Sequence, residues 1–207
     1  MKSLRAPRPK AKPRGRPRSF DREAALERAM QVFWRQGYEA TSLGDLTSAM
    51  RINPPSLYAA FGSKEELFLE AVERYRSGPG ALAARVLAEE PTARRAIARL
   101  LDEAAAELTR EGRPRGCMVV SAAMNCSSDS KHLQTALADE RAGSEAVIRA
   151  RLARAVREGE LRRGTDAAAL ARFYATVLQG MTIQARDGAS RPRLRAIGEA
   201  AMRAWPR

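Results

Sequence analysis

The sequence predicts an all-α protein, with an N-terminal three-helix helix-turn-helix domain followed by a C-terminal helical domain. Aromatic residues make up 5% of the chain and alanine and leucine are abundant, a composition that favours helices. Apolar residues recur at helical spacing in one segment after another. The Ser-Gly-Pro-Gly stretch at 77–80 breaks this pattern. It divides the 207 residues into a basic arm at 1–19, a helix-turn-helix domain at 20–76 and a larger domain at 77–207.

The first predicted helix begins at Asp21, whose charge, like that of Glu23, suits the positive end of a helix. Its apolar face has the i, i+3, i+4, i+7 spacing of a core-facing helix: Leu26, Ala29, Met30 and Phe33. Gly37 is the residue type that commonly ends a helix.

Two short helices joined by about three residues come next. Ser42 and Asp45 have the spacing of a capping pair and start the first of them. Asn53 caps the second, and prolines follow it in the first turn, where a missing N–H costs nothing. Ser63 and Glu66 predict another capping box, which opens the following helix. Spacing alone allows either a helix-turn-helix, which lays its second helix in the DNA major groove, or an ordinary αα-corner.

Four segments carry a family resemblance: FWRQGY at 33–38, TS at 41–42, SLYAAF at 56–61 and SKEEL at 63–67. They resemble the DNA-binding domain of TetR-family bacterial repressors over roughly residues 20 to 76. The resemblance implies a sequence-specific transcriptional regulator that binds palindromic double-stranded DNA as a homodimer and is released by a small-molecule inducer. An architectural, nucleoid-type protein that coats A·T-rich DNA with little sequence specificity is the alternative.

The resemblance also implies which side chains contact DNA. Thr41 and Ser42, at the start of a helix, and Lys64 would hold phosphates. The recognition helix would contribute four residues: Pro55, Ser56, Tyr58 and Ala59. Tyr58 matches the phosphate-contacting tyrosine of the family.

The sequence departs from the family pattern in three places, and the last two leave the recognition helix with little direct base readout. Arg51 stands where the family usually has glycine, and a non-glycine residue held left-handed costs on the order of 1 kcal/mol. Pro54 replaces a residue that is basic in many relatives. Ala59 and Ala60 can touch a thymine methyl but cannot form the bidentate bonds that discriminate bases by ~1–3 kcal/mol each.

The N-terminal arm is expected to supply part of the missing specificity. Residues 1–19 carry eight lysines and arginines, no acid and little that is apolar, which predicts a disordered basic segment. Within it, PRGRPR at 13–18 resembles an AT-hook, in which Arg14, Arg16 and Arg18 would enter a narrow minor groove. The alternative is a basic tail that adds only nonspecific phosphate attraction.

The net charge of +13 predicts a polyanionic partner. The charge is unevenly distributed, because residues 20–76 carry seven bases and nine acids. The basic excess therefore lies in the arm and in the C-terminal domain rather than in the helix-turn-helix.

The C-terminal domain is predicted to contain several helices. One apolar stripe, from Ile97 to Leu108, predicts a helix that ends at Gly112-Arg113-Pro114. The segment GCMVVSAAMN at 116–125 is interpreted as a buried helix. One long or broken helix ends near Gly159. Asp166 opens the next, and the last reaches Trp205.

The last two helices have wide apolar stripes, which indicate either a closed monomer core or a dimer face. TetR-like proteins dimerise through such helices as a four-helix bundle. The candidate dimer residues are Leu170, Val177, Leu178, Met181, Leu194, Ile197 and Ala201.

An inducer pocket would lie among the body helices, because ligand sites combine an apolar lining with a few polar groups. Met118, Asn125, Tyr174 and Gln179 are its candidates, and each also fits plain core or surface. Cys117 and Cys126 are either inert or a thiol sensor.

Other classes of function find little support. We expect no enzyme, since the sequence lacks a nucleophile elbow, a P-loop and a GxGxxG after a strand. The lone His132 predicts a surface residue, and we expect neither metal nor cofactor. No apolar run is long enough to span a bilayer, so we expect a cytoplasmic bacterial protein.

Overall fold

The computed structural model describes residues 20–206, which form helices and connecting turns without any strand. In chain order the helices are α1 Arg22–Gln36, α2 Leu43–Met50, α3 Pro54–Phe61, α4 Lys64–Ser77, α5 Leu82–Glu89, α6 Ala93–Glu107, α7 Met118–Ser121, α8 Lys131–Glu158, α9 Ala167–Arg186 and α10 Arg191–Met202, with a 3₁₀ turn at Pro79–Ala81. The predicted all-α fold is confirmed. The predicted arm, with Arg14, Arg16 and Arg18, lies outside the described residues.

The starts of the first four helices follow the predicted caps closely. Asp21 accepts from the N–H groups of the first turn of α1, Ser42 and Asp45 form a complete capping box on α2, and Asn53 caps α3. Ser63 caps α4 through the Glu66 N–H. The predicted second box is only half formed, because the Ser63 N–H donates to the Phe61 carbonyl instead, at 3.0 Å.

The core of the helix-turn-helix domain extends past the predicted boundary at 77–80. It contains the buried faces of α1 to α4 together with Met118, Leu133 and Leu137 from the C-terminal part of the chain. The indole N–H of Trp34 donates to the Gly116 carbonyl at 3.2 Å, and the Arg186 guanidinium on α9 donates to the Trp34 carbonyl at 3.2 Å. The DNA-binding helices and the body therefore share buried contacts, and the division at 77–80 stays a prediction.

The segment from 108 to 125 differs most from expectation. Helix α6 ends at Glu107, before the predicted Gly112-Arg113-Pro114, and the Glu107 carboxylate pairs with Arg110 and Arg113 to hold the turn that follows. The predicted buried helix over 116–125 is reduced to the four residues of α7. Its neighbouring carbonyls accept bonds from other elements, as Ala122 does from the Tyr38 N–H at 2.7 Å, which ties the segment after α7 to the end of α1.

The remaining body helices agree better with the sequence. Helix α8 is continuous and ends at Gly159, which is left-handed with φ of 81°. Asp166 caps α9 as predicted. Trp205 lies beyond the end of α10, and α5 had no counterpart in the prediction.

Three of the candidate dimer residues are wrong. Met181, Leu194 and Ala201 are buried within the monomer, where α9 and α10 pack on α6 and on each other. Their apolar stripes close this chain's own core. The other four are partly exposed: Leu170, Val177, Leu178 and Ile197.

Candidate nucleic-acid interface

Helix α3 presents one face to the core and another to solvent. Leu57 and Phe61 are buried, as the predicted periodicity requires. Tyr58 is 46% exposed, and Pro55 and Ala59 are also exposed, with Ser56 half-buried beside them. The four predicted recognition-helix residues thus line the accessible side of this helix.

Side-chain contacts from α1 and α4 fix the position of α3. The Arg22 guanidinium donates to the Ala60 carbonyl at 3.2 Å and to the Glu70 carboxylate at 2.7 Å. It also lies 4.4 Å from the centroid of the Phe61 ring. Three helices are thereby joined at the C-terminal end of α3, which holds its exposed face in a defined orientation.

The prediction that Thr41 holds a phosphate through its side chain is wrong. Thr41 is 1% exposed, and its hydroxyl donates to the Gly37 carbonyl at 2.6 Å. The side chain therefore ties the loop before α2 to the end of α1. No local sequence signal separates this role from a phosphate contact.

Ser42 is exposed, but its hydroxyl is already engaged. It donates to the Asp45 carboxylate at 2.6 Å and accepts from the Asp45 N–H at 3.0 Å. These bonds from Ser42 lower the pKa of Asp45. Any phosphate that approached Ser42 would thus meet a neighbouring carboxylate, which stays ionised at neutral pH.

Lys64 lies at the first position of α4, with its ammonium 4.3 Å from the centroid of the Tyr38 ring. Partial burial lowers its pKa, while the Glu39 carboxylate acts in the opposite direction. The cation–π contact holds this charge near the start of α4, beside the end of the recognition helix.

A cavity of about 590 Å³ lies between helix α4 and the body helices α5, α6, α8 and α9. Its wall is largely apolar and includes Leu82, Leu100, Leu108, Val147, Ile148 and Leu178. Cys117, Gln179 and Thr182 add polar groups, and the paired side chains of Arg76 and Glu140 lie at 2.8 Å from each other on the same wall.

Of the four predicted ligand residues, only Gln179 lines this cavity. Met118 is fully buried in the core around α1, and Asn125 is exposed in the loop after α7. Tyr174 is buried in the other core cluster, where burial raises the pKa of its hydroxyl to about 12. Periodicity identified these side chains as interior or polar but not which of them border empty space.

The two cysteines have different surroundings. Cys117 borders the cavity beside Tyr75, whose pKa is raised by burial and then by Cys117. Burial, followed by the Glu39 charge, raises the pKa of the Cys126 thiol, which disfavours the reactive thiolate. His132 is exposed and pairs with Glu65 at 2.9 Å, as expected for a surface residue.

Across residues 20–206, no group of three or more metal-ligating side chains comes together. None of the helices in this part of the chain is long and apolar enough to cross a membrane.

The helix-turn-helix and its exposed recognition face define a DNA-binding transcriptional regulator. Residues 25–71 match the signature of "Bacterial regulatory proteins, tetR family", and residues 91–201 match "Tetracyclin repressor-like, C-terminal domain". The chain belongs to the TetR family, and the predicted resemblance is confirmed.

Similar proteins extend over almost the whole chain. The HTH-type transcriptional repressor ComR of Escherichia coli K12 is 38% identical over 196 residues, covering 94% of this chain and 93% of ComR. The repressor BdcR of the same organism is 32% identical, over 85% of this chain and 84% of BdcR. The solved structure of a cysteine-substituted TetR-family regulator CifR, complexed with 26-bp operator DNA, is 50% identical. It matches with a TM-score of 0.90 and covers 93% of this chain and 100% of CifR.

Proposed function

We propose that this protein is a cytoplasmic repressor that binds a palindromic operator as a homodimer and is released by a small molecule. The observation that carries this proposal is the recognition helix α3, which is anchored by Arg22 and exposes Pro55, Tyr58 and Ala59. Two relatives, ComR and BdcR, are named as transcriptional repressors, and the CifR structure contains operator DNA. Both observations support the proposal.

The proposed dimer face lies on the outer side of α9 and α10. Phe173 and Ile183 are 40% and 39% exposed, and Val177 and Ile197 are partly exposed. Gly180, between them on α9, has no neighbouring atom within 4 Å of the position of a Cβ, so a second helix has room to approach. Apolar residues that a monomer leaves in water favour a partner, and a two-fold dimer would offer two recognition helices to two half-sites.

The cavity is the proposed inducer site. Its volume of about 590 Å³ lies within the range of roughly 300–1,000 Å³ that is usual for small-molecule sites. Tyr75, Arg76 and Ser77 of α4 form part of its wall, and Lys64 and the recognition helix lie at the other end of α4. A ligand that favours a different tilt of α4 would move the recognition helices away from half-site spacing. Because most of the wall is apolar, we propose a predominantly apolar ligand.

Such a ligand is expected to raise the unfolding temperature of the protein, because it binds the folded state. It should also lower operator affinity, because it favours another conformation. Thermal scanning with and without each compound, followed by an operator titration, measures both effects. A compound that stabilises the protein through this cavity and leaves operator affinity unchanged would contradict the proposed release.

Selection of bound fragments from random and genomic bacterial DNA tests the function as a whole. The full-length protein and a version lacking residues 1–18 should both enrich one short palindrome, with half-sites about 10–10.5 base pairs apart or a multiple of that spacing. If truncation keeps the palindrome and lowers the salt slope by about 0.9 per lost phosphate contact, the arm is an electrostatic tail. If truncation erases an A·T preference, the arm reads the minor groove. Enrichment of no palindrome by either version contradicts the repressor and favours the architectural alternative.

A further inference from the structure

The turn between α2 and α3 contains a backbone conformation that an arginine rarely adopts. Arg51 follows the last residue of α2 with φ of 58° and ψ of 45°. Among the non-glycine residues of 20–206, it alone has a positive φ. Its N–H donates to the Ser48 carbonyl at 3.2 Å, so this left-handed conformation is what ends the helix. Glycine would adopt it without strain.

No contact within the described part of the chain accounts for an arginine at this position. The Arg51 side chain is exposed, and its guanidinium forms neither a hydrogen bond nor an ion pair with residues 20–206. Arg22 and Arg74, by contrast, bind carboxylates on neighbouring helices at 2.7 Å. The end of α2 requires the left-handed backbone but not an arginine side chain, and strained residues of this kind cluster at functional sites.

Arg51 carries the positive charge of the helix-turn-helix and lies just before the recognition helix. No other lysine or arginine occurs between Arg35 and Lys64, so Arg51 is the only cation of α2, the turn and α3. It lies three residues before Pro54, at the N-terminal end of the recognition helix. The N-terminal residues of a recognition helix contact base edges, while the preceding helix crosses the phosphate backbone. Arg51 lies between the two, where its long side chain can reach a phosphate that borders the groove. The positive end of the α3 dipole adds to the attraction for a phosphate.

We propose that Arg51 binds a phosphate of the operator backbone beside the half-site that α3 reads. This inference rests on the proposed function, since it requires operator binding. The contact would replace the cation that Pro54 does not provide and would explain why the strained arginine occupies a glycine position.

The substitution Arg51→Gly distinguishes a phosphate contact from a purely structural role, because it should stabilise the fold but weaken operator binding. Removal of strain should raise the melting temperature by about 2–4 °C. Loss of one phosphate contact per protomer should lower operator affinity roughly 10-fold and reduce the salt slope by about 0.9 per protomer. The loss should be similar for the operator and for unrelated duplexes, because phosphates carry no sequence information.

Two variants serve as matched controls. Arg51→Lys keeps both the charge and the strain, and should retain the salt slope. Arg154→Gln removes one cation from α8, where Arg154 pairs with Glu158 at 3.0 Å, and should leave the salt slope unchanged.

Fluorescence titrations of each full-length variant with labelled operator and scrambled duplex, over a salt series, provide the test. Wild-type affinity and salt slope in Arg51→Gly would overturn the inference and leave the proposed function intact. A loss confined to one operator base pair would also overturn it, because Arg51 would then contact a base. If the wild-type protein binds no duplex preferentially, the proposed function and this inference both fail.

Discussion

Replacement of Trp34 by alanine is expected to lower the free energy of unfolding by about 3–5 kcal/mol. Trp34 is 1% exposed, and its ring packs edge-on against Tyr75 at 4.8 Å between centroids. Its indole N–H and its carbonyl bond to Gly116 and Arg186, respectively, in the body of the protein. A cavity would therefore open where the DNA-binding helices meet the body. Because domains are stable by only about 5–15 kcal/mol in total, operator binding should decline at elevated temperature.

Trp34→Phe removes the hydrogen bond together with only part of the ring volume, so its cost should lie below that of Trp34→Ala. It keeps an aromatic ring but leaves the buried Gly116 carbonyl without its donor, and should cost about 1–3 kcal/mol. Met124→Ala is the control, because Met124 is 52% exposed and surface substitutions usually change stability by less than about 0.5 kcal/mol. Urea unfolding followed by far-UV circular dichroism measures all three variants. Equal stability of Trp34→Ala and Met124→Ala would show that Trp34 does not join the two parts of the chain.

Tyr58→Ala is expected to weaken operator binding roughly 10- to 100-fold per half-site without loss of stability. A hydrogen bond to a charged group contributes about 1.5–3 kcal/mol, and every 1.4 kcal/mol corresponds to tenfold in affinity. Stability should be retained because the Tyr58 side chain is 46% exposed, on the outer side of α3. Titration of labelled operator measures the affinity, and thermal melts measure the stability.

Tyr58→Phe identifies the atom responsible. If the hydroxyl donates to a phosphate, the phenylalanine variant should lose nearly as much affinity as the alanine variant. Full affinity in Tyr58→Phe would mean that the ring contacts DNA apolarly. Wild-type affinity in both variants would remove Tyr58 from the interface altogether.

Caps and helical faces followed from the sequence because they depend on residues within one helical turn of each other. Ser42, Asp45 and Asn53 show this directly. The left-handed conformation of Arg51 was expected from the family resemblance, because glycine is usual at that position, and Arg51 has φ of 58°. Thr41 was misassigned because its burial depends on the end of α1, which a local pattern does not specify.

The body illustrates where periodicity stops being informative. An apolar stripe shows that a helix face is covered, but not whether the cover is the same chain or a second one. Met181 and Leu194 proved to be covered by this chain. The cavity could not be predicted from the sequence either, because its wall brings together residues as distant in the chain as Tyr75 and Gln179. The segment around α7 is held by bonds to residues far away in sequence, such as that from the Tyr38 N–H to the Ala122 carbonyl, which a local pattern does not show.

The ratio of operator affinity to affinity for a scrambled duplex of the same composition tests the central claim most directly. The full-length protein would be titrated with the selected palindrome and with the scrambled duplex at one near-physiological salt concentration, since affinities are comparable only at equal salt. A sequence-specific repressor should bind the palindrome at least about 10³-fold more tightly. Equal affinity for the two duplexes would contradict the repressor and identify a protein that binds DNA by charge and shape alone.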